Sequence, residues 1–443
     1  MDPKLLPFAL QDVPRYTSYP TAVQFQPDFP PGLADEWIAE LAPEASLSVY
    51  VHIPFCRQLC WYCGCHTSVP NSYDRAARYV ELLVRDIGRT AKIAGGGRGL
   101  VKHLHFGGGT PTYLDDFHIG EILEAVDVGF GLASDAEIAL ESDPRTLTRE
   151  RAMVLAGMGF TRISFGVQDF ATPVQMKINR LQTYGLVAAA TEFLRVAGFT
   201  SINFDLMYGL PGQTEASVAK TAMQAAELRP ERLAVFGYAH VPWFKKHQRM
   251  IAEADLPGVS ERYAQARMIE AALTAAGYVA VGLDHFALPG DALAVAAGNG
   301  TLRRNFQGYT TDVADALLSF GASAIGELPQ GFVQAARDTP LWSQAIEDGR
   351  NPVMRGLAMT DEDRMRAMII ERLMCDFTVD FGRGGELFDD IPERLQGAIA
   401  AGIAKLEGTR VSVPGEHRLF LRNVAAAFDT HFAAIPNRHA KAV

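Results

Sequence analysis

Runs of apolar, β-branched and aromatic residues recur at 47–53, 101–106, 137–140, 162–167, 201–207, 233–238 and 278–283. Between them, stretches at 73–93, 147–158, 181–197 and 218–227 repeat their apolar positions near every 3.6 residues, as with Tyr79, Leu82, Leu83 and Ile87. The first set predicts strands and the second amphipathic helices. Their alternation predicts parallel βα units.

The strand ends separate a barrel from an open doubly wound sheet. The predicted strands run into HIPFC, GGGTPT, ESDP, Gln168-Asp169, YGLPGQ, YAHVP and DHF, in that order. Polar, Gly and Pro residues at the carboxyl end of nearly every strand suit a barrel mouth. A doubly wound sheet concentrates them at one switch point. The fold class expected is therefore α/β, a βα barrel. From about residue 290 the alternation fades. Residues 360–443 read as a helix at 361–375, a helix at 392–406, a hairpin around 411–421 and a helix at 423–431, an order resembling a winged helix.

The 443 residues carry 41 basic and 51 acidic side chains, a net charge of −10. With no basic block, nucleic acid is not an expected partner, nor a DNA-binding wing an expected feature. No secretory leader is read at the amino end, and no apolar run is long enough for a membrane span, so a cytoplasmic protein is expected.

Cysteine usage changes the picture. Four of the five cysteines fall at 56, 60, 63 and 65; the fifth is Cys375, on an apolar helix face and read as a core thiol. A tight cluster points to metal or redox chemistry rather than a disulfide framework. Cys56, Cys60 and Cys63, at CxxxCxxC spacing, can hold three corners of a [4Fe-4S] cluster and leave one iron open. That iron can chelate S-adenosylmethionine (SAM), whose reductive cleavage yields a radical able to remove hydrogen from carbon. Structural zinc wants four ligands; Cys65 or His66 could supply the fourth, but there is no second knuckle.

With HIPFC before the cysteines and GGGTPT after them, the chain resembles the radical SAM superfamily. Within it the chain is similar to the oxygen-independent coproporphyrinogen III oxidases (dehydrogenases). The motifs are PRYTSYPT at 14–21, YVHIPFC at 50–56, the Cys63-Gly-Cys65 step, HFGGGTPTYL at 105–114, GVQDF at 166–170 and DLMYGLP at 205–211. YAHVP at 238–242, DHFA at 284–287 and NFQGYTT at 305–311 complete them.

This resemblance implies a partial (βα)6 barrel over 41–290, an N-terminal arm over 1–40 closing over the substrate, and a smaller winged-helix-like domain over 291–443 covering the active site. It implies one [4Fe-4S] cluster and two SAM molecules. Tyr50, Gly108, Glu141 and Ile325 would sit at the cluster-bound SAM. Tyr62, Gly109, Thr110, Gln168, Arg180, Asp205 and Ala239 would sit at the second, with Tyr62 and Cys65 catalytic. Glycine at 107–109 would let the backbone approach a ligand. Asp205 and Glu141 at strand ends could bind ribose hydroxyls or the methionine amine, and Arg180 a carboxylate.

The implied reaction converts two propionates of coproporphyrinogen III to vinyl groups. Arg15, Tyr16, Tyr19, Arg303 and Arg304 are the expected carboxylate binders. WFKKHQ after YAHVP is read as deciding nothing. Further expected partners are a low-potential donor such as flavodoxin or ferredoxin and an unidentified terminal electron acceptor; a monomer is the expected state. A haem-trafficking chaperone of the same superfamily and a radical SAM methyltransferase are the alternatives.

Overall fold

The structure, a computed structural model, describes residues 1–96, 100–432 and 441–443. Six strands run in parallel, neighbour to neighbour: β1 Ser46–Ile53, β2 Leu100–Gly108, β3 Leu132–Ser142, β4 Arg162–Gln168, β5 Ser201–Tyr208 and β6 Arg232–Gly237. They form the core of the partial (βα)6 barrel. In β1, Leu47, Val49, Val51 and Ile53 are buried, and alternation aims Ser48, Tyr50 and His52 at the opposite face. The helix Asp74–Ile93 buries Tyr79, Val80, Leu82, Leu83 and Ile87. The helix Tyr184–Ala197 is capped by the Thr183 side chain and ended by left-handed Gly198.

Two expectations are corrected here. The run at 278–283 is no seventh parallel strand. It gives the short β7 Val279–Val281, hairpinned to β8 His285–Ala287, and β8 lies antiparallel to β6. The fading of alternation at 290 does not end the sheet. After the small ribbon of β9 Arg303–Asn305 and β10 Gly308–Thr310, β11 Ala316–Phe320 enters beside β1 and parallel to it. β12 Ile325–Leu328, β13 Gly331–Ala335 and β14 Val353–Ala358 follow antiparallel. The order is therefore β14-β13-β12-β11-β1-β2-β3-β4-β5-β6-β8-β7, so part of the 291–443 segment belongs to the barrel sheet.

The remaining C-terminal residues keep the winged-helix-like order with shifted bounds. The helix Asp361–Asp376 leads into β15 Thr378–Asp380. The next helix is Ile391–Ala400, shorter than expected because Gly402 turns left-handed, and 405–407 is strand. The hairpin is β16 Lys405–Glu407 with β17 Arg410–Ser412, and the last helical turns begin at Leu421 and end at Phe428. No helix among the described residues is long and apolar enough to cross a membrane.

Candidate active site

The cysteine loop leaves β1 and is tied at its base by its neighbour strand. Gly109 N donates to Ile53 O at 2.8 Å and Thr110 N to Phe55 O at 2.9 Å, so GGGTPT lies along HIPFC. Cys56 N donates to Ser68 O at 2.9 Å and Ser68 N to Pro54 O at 2.6 Å, closing the loop on itself. Trp61 N bonds Ile178 O at 3.0 Å, and Asn179 Nδ2 reaches Leu59 O at 3.0 Å.

A further tie comes from the segment read as deciding nothing. Lys245 Nζ donates to Cys65 O at 2.8 Å, His247 Nε2 to Cys63 O at 2.7 Å, and Gln248 Nε2 to Tyr62 O at 3.0 Å and Ala239 O at 3.2 Å. Three donors thus hold the carbonyls of the loop. WFKKHQ hides this, because the residues act on backbone atoms and no periodicity marks them.

Cys56, Cys60 and Cys63 put three thiols on one loop, a donor set that suits an iron–sulfur cluster. Among the described residues no three His, Cys, Asp or Glu side chains converge closely enough for a single metal. Cys56 and Cys60 have hydrogen-bonding groups beside their sulfurs: Cys56 Sγ lies 3.6 Å from Thr110 Oγ1, and Arg180 Nη1 donates to Cys60 Sγ at 3.5 Å. Hydrogen bonds to sulfur are a means by which a protein sets cluster potential. Burial pushes the Cys56 thiol up to about 12. The hydrogen bond from Cys65 brings Cys63 down to about 6, and Cys65 itself is raised by that same bond.

Tyr50 and Glu141 meet over Gly107. A Cβ there would stand 3.0 Å from the Tyr50 hydroxyl and 3.1 Å from Glu141 Oε1. Glu141 Oε2 accepts from Gly108 N at 3.1 Å, and His105 Nε2 lies 3.7 Å from Oε1. Burial, then Glu141 and Cys65, raise the Tyr50 hydroxyl well above its ordinary value. His52, missed in the sequence, accepts from Tyr50 OH at 3.0 Å through Nδ1 and donates through Nε2 to His66 O at 3.0 Å.

The glycines also lie close against the chain itself. At φ 114°, a Cβ on Gly108 would collide with the His52 ring, and one on Gly109 would lie 2.8 Å from Phe55 O. Close packing of this chain on itself demands these glycines.

At the ends of β4 and β5, Gln168 takes φ 65° where the register with β5 shifts. Arg180, only 7% exposed, donates through Nε to Gly166 O at 3.0 Å and lies 3.6 Å from Asp143 Oδ2. Its guanidinium is engaged by the protein rather than free for a carboxylate. Asp205 accepts from Asn203 Nδ2 at 2.8 Å and Ser164 Oγ at 3.3 Å. Tyr62 packs on a small cluster with Ile178, Leu210 and Tyr238. Ile325 packs on the cluster of Phe25, Phe332 and Leu357, on the strand next to β11, whose Ser319 pairs with Tyr50.

The arm residues divide. Tyr16 OH donates to Asp429 Oδ2 at 3.0 Å, and Tyr19 OH lies 3.1 Å from Thr430 Oγ1, so both hydroxyls dock the arm on the C-terminal domain. Arg303 pairs with Glu371 at 2.8 Å. Tyr16 and Tyr19 thus spend their hydroxyls on docking the arm, and Arg303 spends Nε on Glu371. Arg304 donates to Tyr16 O at 3.0 Å and covers the Tyr309 ring, while Arg15 is exposed.

Residues 50–225 match the radical SAM superfamily. The chain is 48% identical over 438 residues to the oxygen-independent coproporphyrinogen III oxidase of Bradyrhizobium diazoefficiens, covering 97% of each. It is 39% identical over 426 residues to the Escherichia coli protein of that name, covering 94% of this chain and 93% of the other. The solved structure of the Escherichia coli enzyme superposes with a TM-score of 0.89 at 38% identity, covering 96% of this chain and all of that one. These relatives disfavour the haem-trafficking and methyl-transfer alternatives. Family membership implies a [4Fe-4S] cluster and SAM. The chain belongs to the oxygen-independent coproporphyrinogen III oxidase family of the radical SAM superfamily.

Proposed function

We propose that the protein oxidatively decarboxylates two propionates of coproporphyrinogen III to vinyl groups, giving protoporphyrinogen IX. The observation that carries this reading is convergence: the cysteine loop, Tyr50, Glu141, Arg180 and Asp205 gather at the carboxyl ends of β1 to β5 in a chain with full-length oxidase relatives. In this reading Cys56, Cys60 and Cys63 hold the cluster. Two SAM molecules bind, one against Tyr50, Gly108, Glu141 and Ile325. The other lies against Tyr62, Gly109, Thr110, Gln168, Arg180, Asp205 and Ala239. The facing of Tyr50 and Glu141 across Gly107 supports the first set.

When bound, the cluster and SAM supply an electron and an adenosyl radical that takes hydrogen from carbon. The residues of the chain then position and shield. Each propionate loses one hydrogen from its β-carbon, carbon dioxide, and one electron to an acceptor, leaving the vinyl group. Asp205 and Glu141 offer acceptors to hydroxyl or amine hydrogens, and Cys65 holds a proton at Sγ near Tyr50 and Glu141. The arm of residues 1–40, docked on the C-terminal domain through Tyr16 and Tyr19, limits water at the mouth. Flavodoxin or ferredoxin is the proposed electron source, in a cytoplasmic, monomeric enzyme.

The test is anaerobic turnover of reconstituted enzyme with coproporphyrinogen III, SAM, reductant and an electron acceptor, read by porphyrin chromatography. Protoporphyrin formation matched by 5′-deoxyadenosine and methionine is expected. SAM cleavage with coproporphyrinogen left intact would overturn the substrate.

A further inference from the structure

A cavity of about 510 Å³ opens beside the ends of β5 and β6, within the size range of small-molecule sites. Its wall joins distant parts of the chain: Arg15 of the arm, Tyr208 and Arg262 of the barrel, Asp284 and Arg304 beyond it, and Arg422 of the C-terminal domain. Ala239 and Val241 also line it. Gln248 bonds both of these residues and the carbonyl of Tyr62, so the cavity and the cysteine loop share a wall.

Four arginines meet here, and among the described residues none of them makes an ion pair with a carboxylate. Arg422, 7% exposed, spends Nη1 and Nη2 on the carbonyls of Val13, Lys441 and Ala442, and its buried Nε has no partner. Arg304 bonds the carbonyls of Arg15 and Tyr16, and its buried Nη1 has no partner. Arg262 bonds Tyr238 O at 2.8 Å and lies over the Tyr208 ring, in space left by Gly209 and Gly237. The acids in the wall are occupied. Asp284 is bound by His285 at 2.8 Å, Glu253 stands 3.5 Å from His240, and Asp12 is engaged within the fold. Burial and then Arg15 lower the affinity of Arg422 for its proton, which marks mutual repulsion. Asp284, the acid that faces these arginines, is turned to His285, so the wall keeps a surplus of positive charge that calls for an anion, and guanidinium forks suit carboxylates.

We propose that Arg15, Arg262, Arg304 and Arg422 bind propionate carboxylates of the porphyrinogen and so set which side chains face the cluster loop. This rests on the proposed function. The methionine carboxylate of SAM has the same chemistry, and the test separates the two sources.

Anaerobic ultrafiltration of the reconstituted full-length protein gives its affinity for coproporphyrinogen III, with bound ligand oxidised to porphyrin for counting. Parallel runs use labelled SAM. Arg15→Gln and Arg262→Gln should each weaken coproporphyrinogen binding about tenfold, as expected for a lost charge-assisted bond. Iron, sulfide and SAM affinity should stay at the wild-type level. Arg15 is exposed, so that variant does not threaten folding. Unchanged coproporphyrinogen affinity in both variants overturns the inference, as does a loss confined to SAM. Failure of the wild type to bind coproporphyrinogen overturns the proposed function instead, and this site with it.

Discussion

Arg180 and Cys60, 120 residues apart, are joined by a hydrogen bond of 3.5 Å from guanidinium Nη1 to thiol Sγ. The same guanidinium holds Gly166 O at the end of β4 and faces Asp143. One buried side chain therefore links the cysteine loop to the barrel wall.

Arg180→Met removes the donor to Cys60 and both donors to Gly166 O, while Asp143 keeps Arg145, and should cost about 2 kcal/mol of stability. Arg180→Lys keeps the charge but cannot serve three partners in fork geometry, so it should rescue only part. Urea unfolding midpoints with iron content measure both. A methionine variant as stable as wild type, with full iron, would rule out the linking role.

Gly109→Ala puts a methyl 2.8 Å from Phe55 O, a backbone atom of the segment that carries Cys56. Overpacking against backbone costs about 1–3 kcal/mol, and the loop base should shift, lowering cluster retention. Gly88→Ala is the control: its Cβ meets nothing within 4 Å on the helix Asp74–Ile93, so alanine should be neutral or slightly stabilising. Thermal unfolding and iron analysis of the pair decide the matter, and equal behaviour would refute it.

Gln248 is fully buried and bonds Tyr62 O, Ala239 O and Val241 N. Gln248→Ala leaves those backbone groups unpaired, at a cost of about 2 kcal/mol. The expected consequence is faster loss of iron to a chelator. Lys245→Met and His247→Leu should show smaller increases, because each releases one carbonyl. Release rates identical to wild type in all three would show that the clamp is passive.

Burial, and then Glu141, raise the Asp205 carboxyl from its ordinary 3.8 to about 7, against hydrogen bonds from Asn203 and Ser164. Between those values the fold keeps a proton that the unfolded chain has lost. Its contribution to stability is therefore full below pH 3.8 and declines as pH rises to about 7. Asp205→Asn removes the decline, so the protein without SAM should melt higher than wild type at about pH 8 and gain less at about pH 5. A gain independent of pH would contradict the assignment.

The six parallel strands are legible in the sequence because each is a buried apolar run ending in polar or glycine-rich residues. The cysteine loop, Gly108, Glu141 and Gln168 lie at or near their C-terminal ends for the same reason. β11 to β14 are not legible: short strands reversing at Gly321 and Gly331 carry no helical spacing between them. The functions of Tyr16 and Tyr19 also escape sequence reasoning. A tyrosine in a motif near a polyanionic substrate reads as a ligand, whereas here both hydroxyls are taken by Asp429 and Thr430, more than 400 positions away. Arg262 and Arg422 belong to no motif and gain meaning only when the arm and C-terminal domain bring Arg15 and Arg304 beside them.

The most direct test of the central claim uses coproporphyrinogen III deuterated at the propionate β-carbons, turned over anaerobically, with 5′-deoxyadenosine analysed by mass spectrometry. The account predicts one deuterium in the 5′-deoxyadenosine formed with each vinyl group. Unlabelled 5′-deoxyadenosine alongside protoporphyrin formation would contradict it.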